Sequence, residues 1–128
     1  MRDLLIVGVA GAAGAIARYT VSGWVYELAG TRLPWGTLAV NVIGCFLLGL
    51  LMHISLATTI VPPAWRLALA TGFLGALTTF STFSYETLRE FERGDWGVAG
   101  TNIVLNLALG LPATWLGLVL ARRMVGGA

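Results

Sequence analysis

Four long stretches of the chain are almost free of charged side chains, and short segments carrying Arg, Asp, Glu or Pro separate them. About 20 consecutive apolar residues cross the hydrocarbon core of a bilayer as a helix, and a charge at the centre costs about 2.5–3.5 kcal/mol. The pattern therefore predicts four membrane-spanning helices, at about 4–26, 37–60, 64–85 and 96–121. Arg18 lies late enough in the first span to extend its guanidinium toward one membrane surface.

The amino-acid composition excludes an ordinary soluble domain. Of the 128 residues 57% are hydrophobic and 11% are charged, whereas soluble domains carry about 25% charged residues. The segments between the spans are too short for a second domain, so residues 1–128 are predicted to form a single all-α membrane domain. A cleaved signal peptide is the alternative for the first span, but the apolar stretch continues beyond the about 7–15 residues of such a segment.

The arginines are divided evenly between the two sides of the predicted membrane domain. Arginine and lysine counts in short loops decide which side faces the cytoplasm, and this chain has no lysine. One side receives Arg2, Arg66, Arg122 and Arg123, and the other receives Arg18, Arg32, Arg89 and Arg93. This balance favours insertion in both orientations and pairing as an antiparallel dimer, although a tie can also arise by chance.

Apart from arginines near the span ends, the polar groups inside the predicted spans are neutral. No Asp or Glu lies within them, although coupled transporters usually hold an acidic residue in mid-membrane. The groups that remain donate hydrogen bonds, and they are Asn41, the Ser and Thr residues of 78–84, Asn102, Asn106 and Thr114. A pathway lined by neutral donors suits an anion or a polar neutral solute.

Phe80 and Phe83 form one stripe of the third span, because residues three or four apart share a face of a helix. Hydroxyl residues, among them Ser81 and Thr82, alternate with these rings. An aromatic ring has a positive edge, so a small anion can meet the rings edge-on while hydroxyls contact its other side. Fluoride is the extreme case of such an anion. The alternative is that the hydroxyls bond back to helix carbonyls and the phenylalanines face lipid.

Glycines precede two threonines in the third span. Gly72 and Gly75 followed by Thr78 and Thr79 make an uninterrupted helix doubtful, so this helix is predicted to break near mid-membrane. Such breaks in transporters expose carbonyl oxygens that coordinate cations. Gly75 and Thr78 are therefore candidates for backbone ligation of sodium. Glycines in the first two spans, at positions 8, 11, 14, 44 and 49, are predicted to let helices approach closely.

Three segments together carry a resemblance that covers essentially the whole chain. They read GFLGALTTFSTFSYE at 72–86, PWGTLAVNVIGCFLLG at 34–49 and ATWLG at 113–117, and they resemble the Fluc (CrcB) family of fluoride channels. The resemblance implies a dual-topology antiparallel homodimer with two fluoride pores, a broken third helix and a structural sodium ion, Na+, at the dimer centre. It also implies passive export of cytoplasmic fluoride by a multi-pass protein of the bacterial cell (inner) membrane.

The resemblance also assigns roles to individual residues. Phe80 and Phe83 would be the pore phenylalanines, and Asn41 would help to position the ion. The other members of the anion pathway would be Ser81, Thr82, Thr114 and Asn106 along a polar track, with Glu86 and Arg18 at vestibules. The backbone carbonyls of Gly75 and Thr78 would ligate the sodium ion, one set from each subunit.

Two positions depart from the family pattern. Ala76 stands where many members have a second glycine, and Val104 stands where some members carry tyrosine. The added methyl of Ala76 restricts the backbone angles that this position of the break can adopt. Without the tyrosine hydroxyl, that end of the polar track would depend on Asn102, Asn106 or water.

Two other classes of function fit the sequence less well. A small multidrug exporter also has four spans and dual topology, but it would need a mid-membrane carboxylate. An intramembrane enzyme or an assembly subunit is the second alternative. Intramembrane hydrolysis would need a nucleophile beside a base, and His53 is the only histidine and is predicted to be an interfacial residue. The protein is therefore predicted not to be an enzyme.

Overall fold

The computed structural model describes residues 1–126, and in these residues the regular structure is helical, without a β-strand. Four helical runs in this part of the chain are long and apolar enough to cross a membrane, and they are Arg2–Ala29, Trp35–Ala57, Pro63–Glu92 and Trp96–Met124. The prediction of an all-α protein with four membrane spans is confirmed. The first run is helix α1, the second is α2, and the last is α6.

The ends of α1 and α2 follow from local chemistry. α1 continues to Ala29 and stops at Gly30, whose φ of 83° and ψ of −177° form a backbone conformation that glycine adopts without steric cost. α2 begins at Trp35, earlier than the predicted span, and Leu38 N donates to the Pro34 carbonyl. α2 ends at Ala57 because Thr58 takes up extended backbone.

The third run is composed of several elements. α3 is Pro63–Arg66, a π-helical segment follows at Leu67–Leu74, and α4 is the short turn Gly75–Leu77. Thr78 and Thr79 then have extended backbone, with ψ of 154° and 113°. α5 covers Phe80–Glu92. π-helical turns are rare and occur frequently at functional sites, which makes this run the first place to look for one.

Glycines allow the helices to pack with their backbones in contact. A Cβ added to Gly117 of α6 would collide with the Phe46 carbonyl of α2, and one added to Gly49 of α2 would collide with the Thr114 carbonyl of α6. A Cβ on Gly14 of α1 would collide with the Phe73 carbonyl of the π-helical segment. In lipid the hydrophobic effect does not drive helices together, so van der Waals contacts at such close approach stabilise the helix pairs instead.

The core of the single chain is small and lies around the third run. Val40 is 1% exposed and clusters with Leu74 and Leu77, which places α2 against the segment just before the two extended threonines. Large apolar side chains elsewhere are exposed, among them Leu5 and Ile16. An apolar exterior is expected of a chain that is surrounded by lipid.

Candidate functional site

The Asn41 side chain forms hydrogen bonds with both backbone polar groups of Thr79, which has extended backbone between two helical segments. Thr79 N donates to Asn41 Oδ1 at 2.8 Å, and Asn41 Nδ2 donates to the Thr79 carbonyl at 3.2 Å. Asn41 Nδ2 also donates to Asn106 Oδ1 at 3.2 Å. Buried backbone polar groups must be paired, so this side chain stabilises the extended backbone. The predicted site residue Asn41 thus contacts the third run directly.

The hydrogen bonds around Thr79 release two backbone carbonyls. In an α-helix each N–H donates to the carbonyl four residues earlier. Thr79 N donates to Asn41 instead of Gly75, and Thr82 N donates to Thr79 Oγ1 at 3.2 Å instead of to the Thr78 carbonyl. The carbonyls of Gly75 and Thr78, the two predicted sodium ligands, therefore lose their ordinary helical donors.

A chain of amides continues from Asn106 into α5. Asn106 Nδ2 lies 2.9 Å from both the carbonyl and the Oδ1 of Asn102, and it donates to them. Asn102, which is 2% exposed, donates to Thr87 Oγ1 at 2.8 Å. Thr87 in turn donates to the Phe83 carbonyl at 2.7 Å. These hydrogen bonds connect α2 to α6 and α6 to α5, and they end at the Phe83 carbonyl. Thr87 was not predicted as a site residue, and its spacing of four from Phe83 is the signal that could have found it.

Phe80 and Phe83 lie beside an open cavity of about 340 Å³. Their ring centroids are 5.6 Å apart and the ring planes make an angle of 51°. Phe80 is 78% exposed in the single chain. The cavity brings together six predicted site residues, Asn41, Gly75, Thr78, Phe80, Phe83 and Asn106. Apolar side chains such as Leu48 and Leu107 complete its lining.

Hydroxyls lead from this cavity to a second one of about 210 Å³. Thr79 lines both cavities, and its Oγ1 donates to Thr82 Oγ1 at 2.9 Å and lies 3.4 Å from Ser81 Oγ. The second cavity is lined by Ala15, Arg18, Tyr19, Ser22, Thr37, Val40, Thr79 and Thr82. Arg18 thus lies beside the predicted polar track. Ser22 and Thr37, which line the second cavity, were not singled out from the sequence, because their proximity to it depends on contacts between helices.

Glu86 lies at the far end of these hydroxyls. Its Oε1 accepts from Thr37 Oγ1 at 2.8 Å and from the Tyr26 hydroxyl at 3.3 Å. Its Oε2 is buried and has no hydrogen-bond partner in residues 1–126. Glu86 and Tyr26 also line an open basin of about 470 Å³ beside the C-terminal half of α5. Thr37 therefore joins the second cavity to the basin.

Thr114 stands apart from the other predicted pathway residues. Its hydroxyl donates to the Gly110 carbonyl of its own helix at 3.1 Å. Its own carbonyl lies at the contact with Gly49. Within the described residues it lines none of the three cavities above. The structure thus gives Thr114 a packing position between α2 and α6, and a place on the polar track remains a prediction.

The sequence is similar to proteins of known name over nearly its full length. A relative from Acidobacterium capsulatum is 54% identical over 94% of this chain and 97% of its own length. One from Geobacter sulfurreducens is 51% identical over 97% of this chain and 100% of its own. Both are named fluoride-specific ion channel FluC. Residues 5–118 match the family described as CrcB-like protein, Camphor Resistance (CrcB). The chain therefore belongs to the CrcB family, whose named relatives are ion channels and not enzymes.

Proposed function

We propose that this protein is a fluoride-specific channel that lets cytoplasmic fluoride leave the cell passively across the bacterial inner membrane. The observation that carries the proposal is the pair Phe80 and Phe83 beside a cavity that also contains the Asn41 and Asn106 amides. The names of the relatives point to the same ion. The cavity is lined by two aromatic rings and by neutral polar groups, and ring edges and neutral donors suit a small anion that must shed water.

Each polar residue near the cavity has a definite part in the proposed pathway. The amide N–H groups of Asn41 and Asn106 donate to other groups of the protein. These two side chains would therefore fix the position of the residues that line the pathway. Ring edges of Phe80 and Phe83 would contact the anion on one side. The hydroxyls around Thr79 would replace water as it moves toward Glu86. A membrane potential negative inside drives the anion outward by about 2.3 kcal/mol per 100 mV.

The proposed assembly is a dual-topology antiparallel homodimer with two pores. The Phe80 ring is 78% exposed beside a cavity that is open in the single chain, and a second copy would close it. The even division of arginines between the two sides supports insertion in both orientations. The two pores follow from the symmetry, because each copy contributes the same residues.

A structural sodium ion at the dimer centre fits the backbone of the third run. The extended residues Thr78 and Thr79 are the proposed break near mid-membrane, and the carbonyls of Gly75 and Thr78 lack their usual helical donors. Carbonyl oxygens freed at such breaks are suitable ligands for sodium. Two such carbonyls from each copy would give four oxygens that hold the subunits together. The ion would be structural and would not be transported.

Fluoride efflux from liposomes that contain the purified protein tests the proposal. We expect fluoride to leave when the counter-ion is free to move, and chloride under the same conditions to be retained. The flux should not require a proton gradient, which separates the channel from a proton-coupled exporter. Liposomes that retain fluoride as well as protein-free ones would refute the proposal.

A further inference from the structure

An arginine-lined basin opens where the loop between α1 and α2 meets the last turns of α5. Its volume is about 470 Å³. Arg32 comes from the loop, Arg89 lies in α5, and Arg93 follows the last residue of that helix. Thr31 and Tyr85 also line it, and so do the carboxylates of Glu86 and Glu90.

Two of the three arginines have no carboxylate partner within residues 1–126. Arg93 Nη1 lies 2.7 Å from Glu90 Oε1 and is neutralised there. The Glu86 carboxylate accepts from hydroxyls and from no arginine. In residues 1–126 the ion pairs are Arg2 with Asp3 and Arg93 with Glu90. Arg32 and Arg89 thus form no ion pair within residues 1–126, and the three arginines of the basin outnumber its two carboxylates, Glu86 and Glu90.

The basin lies at the level where the membrane-spanning helices end. α1 stops at Ala29 and the third run stops at Glu92. The side chains of Tyr85 and Trp96 are exposed here, and such aromatic residues are enriched where headgroups meet the hydrocarbon core. The Arg89 guanidinium lies over the Tyr85 ring, 5.9 Å from its centroid. This contact holds the Arg89 guanidinium against an exposed aromatic ring.

We propose that this basin binds the phosphate of an anionic phospholipid headgroup, with Arg32 and Arg89 as its donors. Arg pairs with phosphate through two parallel hydrogen bonds, and basic pockets between membrane helices bind anionic headgroups. The open shape of the basin admits a headgroup while the acyl chains lie along the exterior of α5. The basin does not include Phe80 or Phe83, but it contains Glu86, at the end of the proposed anion pathway. Lipid binding is argued from the arginines and does not depend on ion conduction.

Lipid binding to the purified full-length protein in a neutral detergent tests the proposal. The probes are short-chain phosphatidylglycerol, phosphatidylcholine of the same chain length, and inorganic phosphate, each followed by native mass spectrometry and by the thermal unfolding temperature. We expect phosphatidylglycerol to bind and the other two to bind at least about tenfold more weakly. The double variant Arg32→Gln with Arg89→Gln should lose about 30-fold in affinity, given about 1 kcal/mol for each arginine.

The matched control is the double variant Arg122→Gln with Arg123→Gln, which removes the same charge from the last turn of α6. Its affinity for phosphatidylglycerol should be unchanged. Arg89→Lys keeps the charge without the planar fork, so it should lose less than the double glutamine variant. Circular dichroism checks that each variant is folded. Equal loss in the control, equal binding of phosphatidylcholine, or equally tight binding of inorganic phosphate would each overturn the proposal.

Discussion

At the scale of single residues, one side chain determines which backbone groups of the third run are available. Asn41 accepts from Thr79 N and donates to the Thr79 carbonyl, and the first of these bonds replaces the helical bond from Thr79 N to the Gly75 carbonyl. Thr79 then uses its own hydroxyl to accept from Thr82 N. An amide is suited to this place because it carries both an acceptor and a donor. Few other side chains could pair with both the N–H and the carbonyl of one buried residue in the same way.

The two phenylalanines beside the cavity should be required for flux. Phe80→Ile and Phe83→Ile remove the positive ring edges but keep an apolar side chain, so we expect each to lower fluoride flux at least about tenfold, which corresponds to about 1.4 kcal/mol. Liposome efflux measures the flux, and size-exclusion chromatography checks that the dimer survives. Phe91→Ile is the control, because Phe91 packs against Trp96. Unchanged flux in both test variants would contradict the pore role.

Replacing Asn41 by aspartate should block the channel. Asp can still accept from Thr79 N, but it has no N–H for the Thr79 carbonyl or for Asn106 Oδ1. The variant places a negative charge beside the proposed anion path. Its carboxylate oxygen would also face the Thr79 carbonyl and Asn106 Oδ1, which are acceptors too, so these groups would repel each other. We expect flux to fall to the background of empty liposomes and stability to fall by about 1–3 kcal/mol. Normal conduction by a folded Asn41→Asp protein would show that this position does not border the path.

At the scale of the elements, the cavity depends on how closely α2 approaches its neighbours. A Cβ added to Gly44 would collide with the Thr78 methyl group, so this glycine lets α2 lie against the extended residues. The π-helical segment Leu67–Leu74 brings Gly72 close to Ala10 of α1. The sequence could not predict the π-helical turns of this segment. Its residues are almost all apolar, and a continuous apolar run has no periodicity that would distinguish a π-helix from an α-helix.

The contact between α2 and α6 should tolerate no side chain at Gly117. Gly117→Ala would drive a methyl group into the Phe46 carbonyl, and we expect it to destabilise the protein by about 1–3 kcal/mol. Gly100→Ala in the same helix is the control, since a Cβ there meets nothing within 4 Å. The control should be neutral or slightly stabilising, because alanine favours helix over glycine by up to about 1 kcal/mol. Thermal unfolding in detergent compares the two, and equal unfolding temperatures would contradict the close packing.

At the scale of the whole molecule, the single chain leaves its candidate pathway open. Phe80 is exposed, and the cavity beside it has no wall on one side. The buried core is small, with Val40, Leu74 and Leu77 at its centre. A polar pathway that is open to lipid would leave its polar groups unsatisfied. This supports the proposed second copy, and it makes topology the property to measure.

The proposed dual topology predicts equal labelling from both sides of the membrane. In a Cys45→Ser background, a cysteine at Thr31 lies in the loop between α1 and α2, and one at Thr59 lies beyond the other end of α2. With a reagent that cannot cross the membrane, about half of each variant should react, since the arginine balance favours neither orientation. Permeabilised vesicles serve as the control for full reactivity. Complete labelling at one position and none at the other would establish a single orientation.

The proposed structural ion predicts that sodium stabilises the dimer. An ion that binds only the folded dimer raises its stability by mass action. Replacing sodium by potassium or N-methylglucamine at constant ionic strength should lower the dimer fraction and the fluoride flux together. The constant ionic strength controls for screening of surface charges. If both quantities are the same without sodium, the carbonyls of Gly75 and Thr78 do not hold a structural sodium ion.

The four spans, the helical class and the segment that carries Phe80 and Phe83 were predictable from the sequence. The bilayer makes this possible, because the cost of burying charge marks each span locally along the chain. The pairings of Asn41 with Thr79, and of Glu86 with Tyr26 and Thr37, were decided only by the tertiary structure. Each joins residues that are distant in sequence, and a neutral amide or hydroxyl carries no local mark of its partner. Local energetics determined where the chain crosses the membrane, and helix packing determined which polar groups are paired and which remain free.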